Sequence, residues 1–273
     1  LAVGLLASAS AMAQAWPTKP IRFIVPFTAG SGTDIIARTV GDTMAKGLGQ
    51  PIIIENKPGA GGTIAAAQVA KSEPDGYTIL VHSSGHVVNP AIYTNLSYDT
   101  LKDLSGVVPM AALPNVLVVA PNRGWKTVGD LVAEAKAKPG KLNYASAGVG
   151  AATHLNAEKF KMQAAFDAVH VPYKGTPEAI TDVIGGRADW YFSPLSAALP
   201  LIKDGKILPL AVSTPQRTPA LPQVPTTVEA GVAGSDYVFW VGMIVPSATP
   251  AAVVRRLHEE VTKAMANPEV KER

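Results

Sequence analysis

Two short glycine-containing turns are the parts of this sequence best suited to bind an anion. They read AGSG at residues 29–32 and AGVG at residues 147–150, and each stands between a predicted strand and a predicted helix. Glycine lets the backbone approach a ligand closely, and the free N–H groups that open the following helix favour negative charge. Two such turns facing each other would hold one anion between them. The alternative for either turn alone is an ordinary helix cap.

Hydroxyl side chains accompany both turns. Thr28, Ser31 and Thr33 belong to the first turn, and Ser146 and Thr153 belong to the second. A hydroxyl group can bond a carboxylate directly or through a water molecule. These hydroxyl groups would therefore add to the backbone donors of the two turns.

Two charged residues near these segments have more than one interpretation. Asp34 can cap the helix or accept hydrogen bonds from the loop, and we interpret it as structural because its charge would repel an anion. Lys174, in the segment VPYKG, can supply a cation or lie solvated at the surface, and the surface interpretation is favoured.

Motifs for catalysis or cofactor binding are missing from the sequence. A dinucleotide-binding turn needs a third glycine, but Ile35 and Thr153 stand at that position after the two turns. A phosphate-binding P-loop is excluded because no GK[ST] follows a glycine run. The GxSxG elbow that carries the nucleophile of serine hydrolases does not occur either. His82 and His86 have the spacing of metal ligands on a helix, but the SSG between them is typical of the tip after a strand. We expect a binding protein with no cofactor and no metal, rather than an enzyme.

The elements that must position the turns alternate between strand and helix. An apolar strand in IRFIVPF precedes the first turn, and a helical face with Ile35, Ile36 and Met44 follows it. The same order returns around the second turn, which indicates two α/β units, each a sheet covered by helices. Apolar strands at 115–120 and 237–245 flank the second unit and would form a two-strand hinge.

Residues 1–15 are typical of an export signal. They are small and apolar, and they end in AQA, the pattern that signal peptidase requires. We expect a signal peptide clipped at its start, a mature chain beginning near Trp16, and a periplasmic location. The lack of cysteine fits an oxidising compartment. The net charge of +3 comes from scattered lysines and arginines, which favours small anions and excludes a nucleic-acid footprint.

A family resemblance rests on segments spread over nearly the whole mature chain. They are VPFTAGSGTDIIAR, IIIENKPGAGG, DGYTILVHSSGHVVNPAIY, LNYASAGVGAATHLNAE and VPYKGTPEAITDVIGGRADWYFSP, with a further run from LAVST to LPQVPTTVEAG. In this order they resemble the Bug/TctC solute receptors of tripartite tricarboxylate transporters. The resemblance implies an α/β periplasmic-binding-protein (Venus-flytrap) fold with two lobes. It also implies a ligand carboxylate held by both glycine turns, largely through ordered water.

The resemblance also assigns site residues by position. Selectivity would come from Tyr173 and Ser193, and the absence of an aspartate at Ser193 disfavours an amino-acid ligand. The first loop departs from many relatives, which have PGG where this chain has AGSG. The complete set of expected ligand contacts is Phe27, Thr28, Ala29, Gly30, Ser31, Gly32, Thr33, Ser83, Ser84, Ala147, Gly148, Val149, Gly150, Thr153, Tyr173 and Ser193.

The sequence thus predicts a monomeric receptor that captures a mono-, di- or tricarboxylate and delivers it to the membrane subunits of a transporter. Lobe 1 comprises residues 16–117 and 241–273, with its C-terminal part expected to be truncated, and lobe 2 comprises residues 118–240. A ligand sensor for a signalling kinase is one alternative, and a periplasmic hydrolase on the same scaffold is another. Genes neighbouring this one would separate transport from signalling.

Overall fold

The computed structural model describes residues 16–272 as two α/β lobes, each built on a mixed five-stranded sheet. The predicted signal peptide lies outside the described residues. The strands are β1 Ile21–Val25, β2 Ile52–Asn56, β3 Thr78–Ser83, β4 Leu104–Leu113, β5 Asn115–Val119, β6 Asn143–Ser146, β7 Val169–Pro172, β8 Trp190–Pro194, β9 Leu208–Val212 and β10 Phe239–Pro246. The helices are α1 Gly32–Leu48, α2 Thr63–Ala70, α3 Gly85–Ile92, α4 Val128–Ala137, α5 Ala152–Ala164, α6 Thr176–Ile184, α7 Leu195–Lys203, α8 Ala251–Ala266 and α9 Pro268–Glu272.

The sheet of the first lobe has the strand order β2-β1-β3-β10-β4. Strand β1 runs parallel to β2 and β3, whereas β10 is antiparallel to β3 and β4. The apolar faces of α1 and α8 pack on one side of this sheet, and α2 packs on the other. Burial on both sides explains why β1 is an almost continuous apolar run rather than an alternating one.

The sheet of the second lobe has the order β7-β6-β8-β5-β9. Strand β6 is parallel to β7 and β8, and β5 is antiparallel to β8 and β9. Side chains alternate across β8, so Trp190 and Phe192 enter the core under α4 and α5 while Tyr191 enters the core under α6 and α7. Both sheets are therefore covered on two faces, as the alternating sequence pattern predicts.

The chain passes between the lobes in two adjacent extended segments. It leaves the first sheet at Pro114, between β4 and β5, and it returns before Phe239, which pairs with Leu113 in the first sheet. The Tyr237 N–H donates to the Ser213 carbonyl at 2.7 Å, and the Ser213 N–H donates to the Asn115 carbonyl at 2.8 Å. These segments form the two-strand hinge. We keep the division into 16–117 with 241–273, and 118–240, as a proposal for the rigid units. In the sheets, residues 115–117 already pair in the second lobe and residues 239–240 in the first, so both crossings of the chain come slightly before the proposed boundaries.

Both glycine turns lie at the carboxyl ends of parallel strands. The first follows β1 and leads into α1, and the second follows β6 and leads into α5. In α/β sheets this edge is where ligands bind, because loops and helix N-termini converge there. No helix within residues 16–272 is long and apolar enough to cross a membrane.

Candidate functional site

A small cavity lies between the two lobes, where the glycine turns meet. Its volume is only about 10 Å³, enough for about one water molecule. Lining residues come from both lobes: Phe27, Ser31, Gly32, Thr33, Ser83 and Phe239 from the first, and Ala147, Ala151, Ala152, Thr153, Thr176 and Pro194 from the second. The two lobes are therefore closed on each other in this structure.

Two long helices from different lobes begin at this cavity. Helix α1 opens with buried Gly32 and Thr33, and helix α5 opens with buried Ala152 and Thr153. The residues that precede them, Ser31 and Ala151, provide no side-chain cap to either helix. Because the first N–H groups of a helix have no intrahelical acceptor, both helices present unpaired donors and the positive ends of their dipoles. An anion in the cavity would satisfy both.

The hydroxyl groups of the lining differ in what they bond. The Ser31 hydroxyl accepts a hydrogen bond from Thr176 N–H at 3.0 Å, and the Thr153 hydroxyl accepts one from Ala147 N–H at 2.9 Å. The Thr176 hydroxyl lies 3.1 Å from that of Tyr191. Ser83 is fully buried, and its hydroxyl has no partner among the described residues. A buried hydroxyl without a partner is costly, so Ser83 is the strongest candidate among these side chains for contact with a ligand.

The second glycine turn is held by two histidines of the second lobe. Gly148 N–H donates to the Ser146 hydroxyl at 3.0 Å, and that hydroxyl lies 2.6 Å from Nε2 of His170. Gly150 N–H donates to Nδ1 of His154 at 3.2 Å. A backbone N–H can only donate, so His154 must be neutral at Nδ1. Burial lowers the pKa of His154, and it lowers the pKa of His170 to about 4, so both rings are neutral at pH 7.

The first turn is held by Asp34, which is buried. Its carboxylate accepts from Gly30 N–H at 2.9 Å, from Asn56 at 2.8 Å and from Arg38 in two hydrogen bonds of 3.0 Å. Both carboxylate oxygens are thereby occupied. This agrees with the structural interpretation of Asp34 and leaves its charge paired with Arg38.

Direct hydrogen bonds join the lobes around the cavity. Thr28 donates its N–H to the Lys174 carbonyl at 3.3 Å and its hydroxyl to Glu178 at 2.9 Å. The Tyr93 hydroxyl donates to the Val149 carbonyl at 2.9 Å. These contacts tie the first turn to the start of α6 and the second turn to the end of α3.

The structure brings together part of the predicted set of contacts. Phe27, Ser31, Gly32, Thr33, Ser83, Ala147 and Thr153 line the cavity. Thr28 and Val149 instead bond the opposite lobe, whereas Gly148 and Gly150 are bonded within their own turn. Ala29 and Gly30 are exposed.

Three further predicted contacts point elsewhere. The Ser84 hydroxyl lies 3.1 Å from that of Tyr237, and the Tyr173 hydroxyl donates to Asp182 at 2.6 Å. The Ser193 hydroxyl donates to the carbonyl of Pro194 at 3.2 Å and is fully buried. In the closed arrangement none of these three side chains lines the cavity.

Three lining residues were not singled out from the sequence: Thr176, Pro194 and Phe239. Ala151 and Ala152 also line the cavity, and they lie within the second contact loop, residues 147–153, that the family resemblance implies. Thr176 opens α6, Pro194 ends β8 and Phe239 begins β10. Only the strand order places these three beside the turns, and no local pattern in the sequence marks them.

Comparison with known proteins places the chain in a family. Residues 36–273 match TctC, the tripartite tricarboxylate transporter family receptor. A protein encoded in the tcbD-tcbE intergenic region of Pseudomonas sp. (strain P51) is 38% identical over 259 residues, which cover 94% of this chain and 77% of that protein.

Solved structures show the same fold. One described as a periplasmic transporter has a TM-score of 0.90 at 41% identity, over 94% of this chain and 86% of that one. Rpa4515 of R. palustris with adipate has a TM-score of 0.90 at 35% identity, covering 93% and 86%. MatC of Rhodopseudomonas palustris with bound malate has a TM-score of 0.89 at 32% identity, covering 94% and 87%. The two-lobed architecture is thus that of periplasmic binding proteins, and the chain belongs to the tripartite tricarboxylate transporter receptor family, TctC.

Proposed function

We propose that this protein is a periplasmic receptor that captures a small carboxylate between its lobes and delivers it to the membrane subunits of a tripartite tricarboxylate transporter. One observation carries the proposal: uncapped N-termini of α1 and α5, from opposite lobes, meet at one cavity beside the unpartnered hydroxyl of Ser83. Each helix end offers partial positive charge and free N–H donors. Together they would satisfy a group with two acceptor oxygens, which is what a carboxylate provides.

Ligand capture would proceed by closure of the lobes. In an open form the two helix N-termini are apart, and each is hydrated. A carboxylate that bridges them favours the closed form, because only there can it bond both ends at once. The lobe-to-lobe hydrogen bonds of Thr28 and Tyr93 then add to the stability of the closed form.

Ligands of the related structures support the class of solute. Rpa4515 is described with adipate and MatC with malate, and both compounds are carboxylates. The periplasmic location follows the description of the 41% identical structure, and residues 1–15 would be the export signal. We further propose that the receptor acts as a monomer and binds without catalysis, since its polar lining side chains are serine and threonine hydroxyls.

A binding experiment tests the proposal. The purified protein, unfolded and refolded to remove bound solutes, is titrated with a panel of carboxylates and their amides by calorimetry. At least one carboxylate should bind and raise the melting temperature, because a ligand of the native state stabilises it. The matching amide should not bind. If no carboxylate binds to the folded, ligand-free protein, the proposal is wrong.

Substitution of Ser83 tests the location of the site. Ser83→Ala should weaken binding about tenfold, because a hydrogen bond to a charged group contributes about 1.5 kcal/mol. Thr227→Val is the matched control, since Thr227 is also fully buried with an unpartnered hydroxyl but does not line the cavity. Equal affinities of the two variants would place the ligand elsewhere.

A further inference from the structure

Helix α6 of the second lobe receives no side-chain cap from the residue that precedes it. That residue is Gly175, which has no side chain to accept a hydrogen bond, and Pro177 in the first turn of α6 has no N–H. The N–H of Thr176, the first residue of α6, is buried and donates at 3.0 Å to the hydroxyl of Ser31, in the first glycine turn of the opposite lobe. The Ser31 hydroxyl therefore does for α6 what an N-cap side chain ordinarily does for its own helix.

A second hydrogen bond between the lobes involves the first turn of α6. Glu178, the third residue of α6, accepts a hydrogen bond from the Thr28 hydroxyl at 2.9 Å. In an ordinary capping box, a Ser or Thr before the helix accepts an N–H of the first turn, and a Glu at the third helical position reaches back to the N-cap residue. Here the glutamate belongs to one lobe and both hydroxyl groups belong to the other. We call Thr28, Ser31, Thr176 and Glu178 the shared cap.

Ser31 does not cap the helix that it precedes. It stands at the N-cap position of α1 with extended backbone angles, φ −70° and ψ 154°, and serine is one of the residues preferred there. Its side chain nevertheless makes no capping bond to α1. Because the hydroxyl accepts from α6 instead, the first N–H groups of α1 stay free for a ligand, as the proposed function requires.

Gly175 is needed for space rather than for its backbone conformation. Its φ of −179° is extended backbone that any residue can adopt. A Cβ atom added there would collide with the Thr28 hydroxyl oxygen, and it would lie 2.6 Å from the Ser31 hydroxyl oxygen and 3.0 Å from the Thr28 nitrogen. A serine at this position could cap α6 within its own lobe, but it would hold the first glycine turn away. Glycine therefore leaves α6 uncapped until the lobes close.

We propose that Thr28 and Ser31 are positioning residues that cap α6 across the lobe interface, so that closure completes a helix cap that neither lobe can complete alone. In the open form, the Thr176 N–H and the Glu178 carboxylate are hydrated instead. The inference rests on the proposed function, because the shared cap affects affinity only if the ligand binds the closed form. It gives closure a source of stability that is separate from the contacts of the ligand itself.

Gly175→Ser tests the space that the shared cap needs. Serine is at least as good an N-cap residue as glycine, so the free energy of unfolding of the ligand-free variant, measured in urea, should not fall. The carboxylate that the unmodified protein binds best should bind at least tenfold more weakly in calorimetry, because the added side chain overpacks the closed interface. Gly129→Ser is the matched control. Gly129 is exposed in the first turn of α4, where the atom nearest to an added Cβ is the Thr127 hydroxyl oxygen at 3.5 Å, and this variant should bind as the unmodified protein does.

Two further positions test the hydroxyl groups of the shared cap. Ser31→Ala should weaken binding about three- to thirtyfold, the loss expected of an N-cap, and leave urea unfolding of the ligand-free protein unchanged. Thr28→Val should weaken binding about two- to fivefold, and Thr28→Ser should recover most of that loss because it restores the donor to Glu178. Since Thr28 does not line the cavity, this pair reports on the shared cap rather than on a ligand contact.

The outcomes separate the shared cap from the proposed function. If Gly175→Ser binds as tightly as the unmodified protein, or if Thr28→Val binds no more weakly than Thr28→Ser, the inference is wrong while the carboxylate receptor stands. A loss of ligand-free stability in Ser31→Ala would assign its cap to α1 and would equally overturn the inference. If no carboxylate binds the unmodified, folded and ligand-free protein, the proposed function fails and the inference fails with it.

Discussion

Replacing Gly85 by alanine should impair closure of the lobes without damaging either lobe. Gly85 is the first residue of α3 in the first lobe, and its backbone does not have positive φ. A Cβ atom there would press against the Gly150 carbonyl oxygen of the second lobe and lie 3.3 Å from the Ala151 Cα. The lobes would have to separate by roughly 1 Å to restore ordinary van der Waals distances. Within α3 the change is harmless, because alanine favours helix more than glycine does.

The size of the effect follows from the cost of overpacking. Inserting one methyl group into a tight contact costs about 1–3 kcal/mol. If ligand binding requires the closed form, that cost appears in full as an affinity loss of about five- to hundredfold. Calorimetry with the carboxylate that binds best measures this loss, and small-angle scattering measures whether the liganded variant remains more open.

A matched control is available in Gly106. It lies on the exposed edge strand β4, and a Cβ atom added there meets nothing within 4 Å. Gly106→Ala should bind as the unmodified protein does. If Gly85→Ala binds equally well and closes to the same dimensions, then the contact between Gly85 and Gly150 is not part of the ligand-bound form, and the reasoning fails.

Two further changes test the lobe contact and the buried histidines. Tyr93→Phe removes the hydrogen bond to the Val149 carbonyl. Ligand binding measured by calorimetry should weaken about two- to fivefold, whereas urea unfolding of the free protein should not change. An unaltered affinity would show that this bond does not favour closure. His86 is buried, and desolvation lowers its pKa from 6.5 to about 4. The unfolded chain therefore takes up this proton at higher pH than the folded one, so the free energy of unfolding is greatest above pH 6.5 and falls between pH 6.5 and pH 4. At about 1.4 kcal/mol for each pH unit, His86 accounts for about 3 kcal/mol of that fall. Urea unfolding across this range should be less pH-dependent by that amount in His86→Leu, and an identical pH profile would contradict the assignment.

The repeated order of strand, glycine turn and helix was predictable because each signal is local. Strand β1 is apolar on both faces, the AGSG turn ends it, and the buried positions of α1 follow helical spacing. Helix α4, Val128–Ala137, likewise begins at a local signal, a capping box between Thr127 and Asp130. Where the side-chain pattern and the turn residues indicate the same structure over a few residues, the sequence alone is sufficient to predict the element.

Strand β4, Leu104–Leu113, was not predicted, and its position in the sheet explains why. It is an edge strand whose residues are mostly exposed or half-buried, so it lacks an alternating apolar pattern. It contains Gly106 and Pro109, both of which disfavour a strand assignment. Two register shifts in its pairing with β10 further disturb any period. Its identity as a strand depends on β10, which is distant in the sequence.

The same distinction separates the site residues that could be predicted from the sequence from those that could not. Hydroxyl residues within the turns, such as Ser31 and Thr153, were found because they neighbour the AGxG motifs. Phe239 and Pro194 were not found, because each reaches the cavity only through the order of strands in its sheet. A sequence pattern records which residues are close along the chain, and a cavity between two lobes is made largely of residues that are not.

The glycines at the lobe interface, in the second turn and opposite it, have a second explanation in the structure. The sequence suggested that glycine is needed to bring the backbone near an anion. In the closed form, however, Gly61 packs against the Val149 carbonyl and Gly85 against the Gly150 carbonyl, both across the lobe interface. Gly148 lies opposite Gly61, because a Cβ atom added to Gly148 would lie 3.6 Å from the Gly61 nitrogen. Backbone therefore meets backbone across the lobe interface, and a side chain at Gly61 or Gly85 would hold the helix N-termini too far apart to share one carboxylate. Glycine here sets the distance of closure as well as the approach to the ligand.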